Sequence, residues 1–417
     1  MRYSASQHSA RYTDDYVFHQ LIPYIGNKRK LLGLIARAIT ATGLAPSQAT
    51  FLDAFSGSTV VARFAKQLGF AVTANDWEPY AEALAQCFVA LNRAPRFFGN
   101  RSYRSVLAEL NALPPVEGWI TNHLCPADDH HFDTARDRMF YLRRNGMKFD
   151  AIRQRIAHWD AAGDLTPLQR AALLAPLLYQ ACWLSNTSGV FKGFHHGWGG
   201  RTGTALYRIH ADLQLAPALF HRNGRTHRAL RLDATELALA SRAAAPYDIA
   251  YLDPPYNQHP YGANYHVLNT LTLWDAPPLS PTITGHGDKS AIRTDWRTQR
   301  RSAYNYRTLA TAEYQRLIAA LHARFLLTSY STDGSIPLRD LLEANLSRGH
   351  TQLFLQTYKR YRVSTQRFSH KPLNVEFILL TDTTRKPTRS AAALLRRIHA
   401  AEHNALAAHP EVLGARC

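Results

Sequence analysis

The chain has 417 residues, more than one domain of ordinary size contains, so a large core plus a second module is expected. Hydrophobic residues make up 46% of it, which excludes a disordered protein, and no apolar run reaches the roughly 18 residues that a membrane helix needs. Lys and Arg outnumber Asp and Glu 49 to 31, a formal net charge of +18; this is the footprint of a protein that sits on a phosphate backbone, and ribosome-associated or membrane-surface proteins share it.

From the N-terminus, residues 20 to 92 alternate short apolar runs with helical periodicity. The pattern predicts helices over Gly33 to Ala41, Val60 to Leu68 and Tyr80 to Leu91, and strands over Thr50 to Phe55 and Ala71 to Ala74. This βαβ alternation implies a parallel sheet covered by helices. Between about 95 and 225 the strand signal fades. Helical stretches at Ala135 to Leu142, Phe149 to Trp159 and Pro167 to Leu184 read as an inserted, mainly helical module. Buried-strand runs return with DIAYLD from Asp248, RFLLTSYS from Arg324 and VEFILLT from Val375. The expected organisation is an α/β, Rossmann-like doubly wound sheet domain formed by residues 1–92 and 225–384, interrupted by an insert at 93–224. A solvent-facing basic helical tail is expected over 385–417.

Four irregularly spaced cysteines, Cys87, Cys125, Cys182 and Cys417, argue against a disulfide framework and for a reducing compartment. The N-terminal stretch MRYSASQHSARYTDDYVF lacks an apolar h-region, so a soluble, cytoplasmic protein is expected. Cys125 with His123, His130 and His131 lacks CxxC or HxxxH spacing, and no metal site is expected.

Two constellations carry chemistry. In FLDAFSGSTVVARF a strand ends in Asp53-Ala54-Phe55, and a small-residue turn at Gly57 opens a helix whose N-terminal N–H groups are free for a ligand. One strand later Asp76 lies nineteen residues beyond Gly57, where doubly wound nucleotide sites place the acid that binds a ribose. A dinucleotide dehydrogenase would share that spacing, but GxGxxG is absent. The second constellation, DIAYLDPPYNQHPYG, sets Asp253, Pro254, Pro255 and Tyr256 at the carboxyl end of an apolar strand. An exocyclic amine conjugated with a base is a poor nucleophile and needs acceptors that hold its hydrogens. Asp253 can accept one, the Pro254 carbonyl the other, and Tyr256 can stack on an extruded base.

These motifs resemble those of adenine-specific DNA amino-methyltransferases of the alpha arrangement, the broad class of the bacterial Dam-type enzymes. The resemblance implies S-adenosylmethionine as cofactor and double-stranded DNA as substrate. In PYIGNKRKLL, Tyr24 and Lys28 match the aromatic residue and lysine with which the family holds its cofactor. Asp53, Phe55 and Gly57 match the FxGxG strand and turn, Asp76 the ribose acid, and Asp253 to Tyr256 the catalytic motif. Thr59 stands where a second glycine is common, and an adjusted loop is expected there. Asp233, in LRLDATEL, falls where related enzymes place a polar residue near the cofactor adenine. The insert then corresponds to a target-recognition region. Its stretch NTSGVFKGFHHGWGGRTG and the residues after it offer Lys192, His195, His196, Arg201 and Arg208 to DNA, with YKRYRVSTQR at 358 to 367 as a second basic stretch. A separately acting restriction endonuclease is a possible partner of such a protein, and a monomer or weak dimer is expected. Cytosine-N4 methylation uses the same chemistry, although that subclass more often carries Ser at position 253. RNA or protein-amide methylation is a second rival, although the protein enzymes typically carry Asn there, and a catalytically silent DNA-binding protein that retains the fold is a third.

Overall fold

The computed structural model of the chain describes residues 14–133, 135–256, 258, 260–279, 283, 293, 295–299, 301–359 and 373–407. Its strands are β1 (Thr50–Asp53), β2 (Ala71–Asn75), β3 (Arg228–Leu230), β4 (Tyr247–Leu252), β5 (Ala323–Ser331), β6 (His350–Lys359) and β7 (Leu373–Asp382). They form one sheet in the order β3-β2-β1-β4-β5-β7-β6. The first five neighbours pair in parallel, whereas β7 runs antiparallel to both β5 and β6. The chain leaves β1 towards β2 on one side and returns at β4 on the other. Their junction is therefore the switch point outside which open α/β sheets bind ligands.

Alternation along the strands sends side chains to two separate cores. Phe51, Val72, Tyr251, Leu327, Ile378 and Leu380 pack against helices Leu32–Thr40 and Val60–Leu68. Leu52, Ala250, Leu326, Phe377 and Leu379 face helices Arg307–Ala320 and Leu338–Arg348. A third core joins the inserted helices Tyr103–Ala112, Arg143–Ala161 and Pro167–Trp183 to helices Pro79–Ala85 and His266–Leu273 of the sheet domain. The insert is mainly helical, as its periodicity indicates, but it shares its core with the sheet domain. Burial of apolar surface between the two is what fixes it.

Three expectations change. Residues 135–142 form no helix: Met139, Phe140, Tyr141 and Leu142 are buried in a run with no exposed face, and the Phe140 and Tyr141 amides donate to the Leu124 carbonyl. The tail helix Ala391–Ala407 does not lie free in solvent, because Leu394 and Ile398, one helical turn apart, are wholly buried with Phe377 and Leu379. The helix over Tyr80 to Leu91 is Pro79–Ala85 followed by a wider turn, Gln86–Ala90. That turn is braced by the buried Lys66, which donates to the Val89 and Leu91 carbonyls at 2.7 Å each. Strands β3 and β6 carried no clear signal. The stretch 358–367 lies largely outside the described residues. No helix among the described residues is long and apolar enough to cross a membrane.

Candidate active site

The turn after β1 is stitched across the carboxyl ends of its neighbours: Ala54 N donates to Tyr251 O at 3.1 Å and Ser56 N to Asn75 O at 2.8 Å. Gly57 follows at φ +47°, and a β-carbon there would lie 2.7 Å from Tyr24 Cε1. Only glycine lets the Tyr24 ring rest on this turn. Asp76, just beyond β2, accepts from Gly57 N at 2.7 Å and from Glu78 N at 2.9 Å, so one carboxylate ties the two loops together. Thr59 adopts φ +69°, the conformation glycine favours. A strain of about 1–2 kcal/mol is offset by the bond from Thr59 N to Ser56 O and by the buried Arg63, whose Nε donates to Thr59 Oγ1 at 2.8 Å.

Asp253 projects past the end of β4 beside this turn. Its Oδ2 is 2.7 Å from Lys28 Nζ, with the lysine 3% exposed and the aspartate 16%. Lys28 also donates to Gly26 O at 2.8 Å and lies 3.4 Å from the Tyr256 hydroxyl. The lysine expected to hold the cofactor is thus engaged by the DPPY acid. Burial lowers the proton affinity of Lys28, but Asp253 and the neighbouring acids outweigh it, and its pKa is raised. Burial raises the Asp253 pKa, and Lys28 opposes that rise. Asp253 Oδ1 has no hydrogen-bond partner and is shut off from solvent. The N-terminal segment is pinned from the far side of the motif: Tyr265 OH accepts from Ile25 N at 2.8 Å, and Tyr261 OH donates to Ile25 O at 3.1 Å. Tyr24 stacks on both rings, with centroids 5.1 Å from Tyr261 and 4.9 Å from Tyr265.

These groups line a cleft at the β1/β4 switch point. Tyr24, Lys28, Phe55, Asp76, Asp233 and the whole DPPY motif line it. Asp53 and Gly57 stand behind the wall. Asp53 is 1% exposed, and burial, then the nearby Asp253 and Asp76, holds its pKa well above the usual carboxylate range. Asp233 caps helix Ala234–Ala240 through Thr235 N at 2.8 Å. Sequence reasoning missed Tyr261, Tyr304 and Asn305, which complete the wall. Tyr304 lies in a single 3-10 turn, Ala303–Asn305, whose composition carries no motif, and meets Phe55 edge to face at 5.7 Å. The donor set fits a cationic nucleoside. Among the described lining residues Lys28 is the single cation and is already paired, whereas Asp76, Asp233 and Asp253 present acids and Tyr24 and Phe55 present rings. Buried Tyr304 OH and Asp253 Oδ1 have no protein partner and are placed to meet polar groups of a ligand.

The proposed DNA loop abuts this cleft. Phe191 N donates to Asn264 O at 2.7 Å, and the loop with Pro23 and Tyr179 borders a groove beside the Tyr24 segment. Asn186 organises the loop by donating to Met139 O and His195 O and accepting from Gly199 N, each at 3.0 Å. His196 and Arg201 are exposed and Lys192 and His195 half-buried. Arg208 differs from expectation: its guanidinium donates to the carbonyls of Trp183, Ser185 and Thr187, so it braces the loop from below. Trp183 and Tyr207, 37% and 71% exposed, meet edge to face on the groove wall.

Residues 24–305 match the model of the D12 class N6 adenine-specific DNA methyltransferases, a span that runs from the Tyr24 segment past DPPY to Asn305. The chain is 30% identical over 350 residues to the Type II methyltransferase M.NlaIII of Neisseria lactamica, covering 84% of this chain and 95% of that one. It is 26% identical over 345 residues to the Type II methyltransferase M.CviAII of Paramecium bursaria Chlorella virus 1, covering 82% and 93%. With the modification methylase StsI of Streptococcus sanguinis it shares 27% identity over 323 residues, 76% of this chain but 45% of that longer protein. No solved structure matches the chain. An acid-anchored DPPY motif at the switch point of a seven-stranded mixed sheet, inside a family match covering most of the chain, makes this protein a member of the D12 class N6 adenine-specific DNA methyltransferase family.

Proposed function

We propose that this adenine methyltransferase draws its methyl group from S-adenosylmethionine held in the cleft at the β1/β4 switch point, and transfers it to an adenine flipped out of double-stranded DNA. The cofactor, when bound, supplies a methyl group already activated by a sulfonium. Tyr24 and Phe55 give it aromatic walls, Asp76 and Asp233 accept its hydroxyl and amine hydrogens, and Asp53 and Gly57 shape the turn behind them. Lys28 acts through Asp253. The single observation that carries the reading is the state of Asp253: one oxygen is fixed by Lys28 at 2.7 Å, and the other is buried without a partner. That free oxygen accepts one hydrogen of the adenine amine, and the Pro254 carbonyl accepts the other, with Pro255 stiffening the turn. With its hydrogens held, the nitrogen lone pair would be free to take the methyl group that a bound cofactor supplies, and the amine hydrogen held by Asp253 would pass as a proton to that carboxylate and then to solvent. Tyr256 stacks on the extruded base.

The insert at 93–224 is read as the target-recognition region, with Lys192, His195, His196 and Arg201 reaching DNA and Arg208 supporting them. The exposed Trp183 and Tyr207 add stacking surface. The relatives' names, Type II methyltransferase and modification methylase, favour a modification role; a separately acting restriction endonuclease as partner and a cytoplasmic location complete the reading. Asp253→Ala tests the reading directly. Single-turnover methyl transfer should fall by more than a thousandfold, while cofactor and DNA affinities stay within about tenfold. Substantial transfer by this variant would remove Asp253 from the chemistry.

A further inference from the structure

The reading of Asp253 leaves one buried acid unexplained. Glu376 lies on β7, opposite Ser331 of β5 and Gln356 of β6. Alternation places it on the face that also carries Ile378 and Leu380, against helix Leu32–Thr40, and Lys28 stands in the turn that leads into that helix. Glu376 Oε2 is shut off from solvent and has no hydrogen-bond partner. The ammonium of Lys28 is in contact with Asp253, and Glu376, on the strand that packs against the helix Lys28 leads into, lies within electrostatic reach of it.

We propose that Glu376 is a positioning residue for methyl transfer: its negative charge takes up part of the Lys28 field and leaves Asp253 basic enough to hold an amine hydrogen as the adenine nitrogen becomes positive. With Glu376 ionised, one cation serves two anions and the cluster carries a net negative charge. With Glu376 protonated, Lys28 fully neutralises Asp253, and the acceptor is weakest when the reaction needs it most. Burial pushes the Glu376 pKa up to about 7; Lys28 pulls it down, Asp253 and Asp333 push it further up, and the Ser331 hydroxyl lowers it. Tyr256 also faces the cluster from the β4 loop and Tyr251 from β4 itself. Ionisation thus falls in the range where the enzyme's rate can be followed.

This inference rests on Asp253 being the amine acceptor, and the experiment keeps the two apart. Single-turnover methyl transfer is measured from pH 6 to 8.5 on an adenine-containing target duplex, with cofactor and DNA saturating. The wild-type rate should rise with pH through about 7. Glu376→Gln should transfer about tenfold more slowly at pH 8 and show no such rise, with cofactor and DNA affinities within about threefold. Glu376→Asp, which keeps the charge, should restore the pH dependence in part. A full-speed Glu376→Gln, a slowed one that keeps the wild-type rise, or a wild-type rate flat across this range would each overturn the proposal, and the last needs no variant to fold. Failure of the underlying reading looks different, since Asp253→Ala would then still transfer methyl groups.

Discussion

Replacing Lys28 by Met keeps the length of the side chain and removes its charge, which isolates the ion pair at the centre of the site. Lys28 is 3% exposed and Asp253 16%, with 2.7 Å between them, so the variant leaves a largely buried carboxylate without its counter-ion. Breaking such a pair costs about 3 kcal/mol, the lower end of the usual range because Asp253 keeps some solvent contact. The sign of the pH effect follows from the direction of the shift. Burial already raises the Asp253 pKa and Lys28 restrains it. Without Lys28, protonated Asp253 persists to higher pH and can no longer accept an amine hydrogen. Methyl transfer at pH 7 should therefore fall about a hundredfold, equivalent to about 2.7 kcal/mol, and recover partly as pH rises towards 9. A group whose folded-state pKa is raised favours folding at low pH and loses that contribution as pH rises through the folded value. The deficit in melting temperature should accordingly be larger at pH 8 than at pH 5.5. Single-turnover rates and thermal melts across this range are the assay. A Lys28→Met enzyme that loses cofactor affinity but keeps the wild-type pH profile would refute the reasoning and make the lysine a cofactor ligand.

Tyr256→Ala should reduce transfer by a factor corresponding to about 1–3 kcal/mol of lost stacking, less so when the target adenine faces a mismatched base, whereas Tyr256→Phe should keep much of the activity. Equal damage from both, measured under single turnover, would make the hydroxyl beside Lys28 the functional group. Replacing Lys192 and Arg201 together by Ala should flatten the salt dependence of DNA binding by roughly two units of slope. An unchanged slope would move the phosphate-binding surface elsewhere.

The parts of this site that were legible in the sequence are those where backbone geometry dictates residue type. Gly57 must lack a side chain because Tyr24 rests on it, and DPPY ends an apolar strand at a fixed edge. Tyr261 and Tyr304 are aromatic because they fill space against Tyr24 and Phe55, a requirement many sequences meet, so no motif announces them. The partner of Lys28 was hidden because the residues between them in sequence, 225 apart, converge only when the sheet closes. Glu376 sits in a strand run read only as buried, and its charge makes sense only beside Lys28. Arg208 looked like a phosphate ligand by composition, but three nearby carbonyls end there and claim its donors. The tail looked solvent-facing because its arginines dominate the composition, while two leucine-sized side chains one turn apart decide where it lies.

The central claim is best tested by modified-base sequencing of DNA from a methylation-free host that expresses this chain. The account predicts N6-methyladenine within one short recurring sequence motif, and its disappearance when Asp253→Ala is expressed at the same level as folded protein. N4-methylcytosine in place of methyladenine, or no modified base from demonstrably folded wild-type protein, would contradict it.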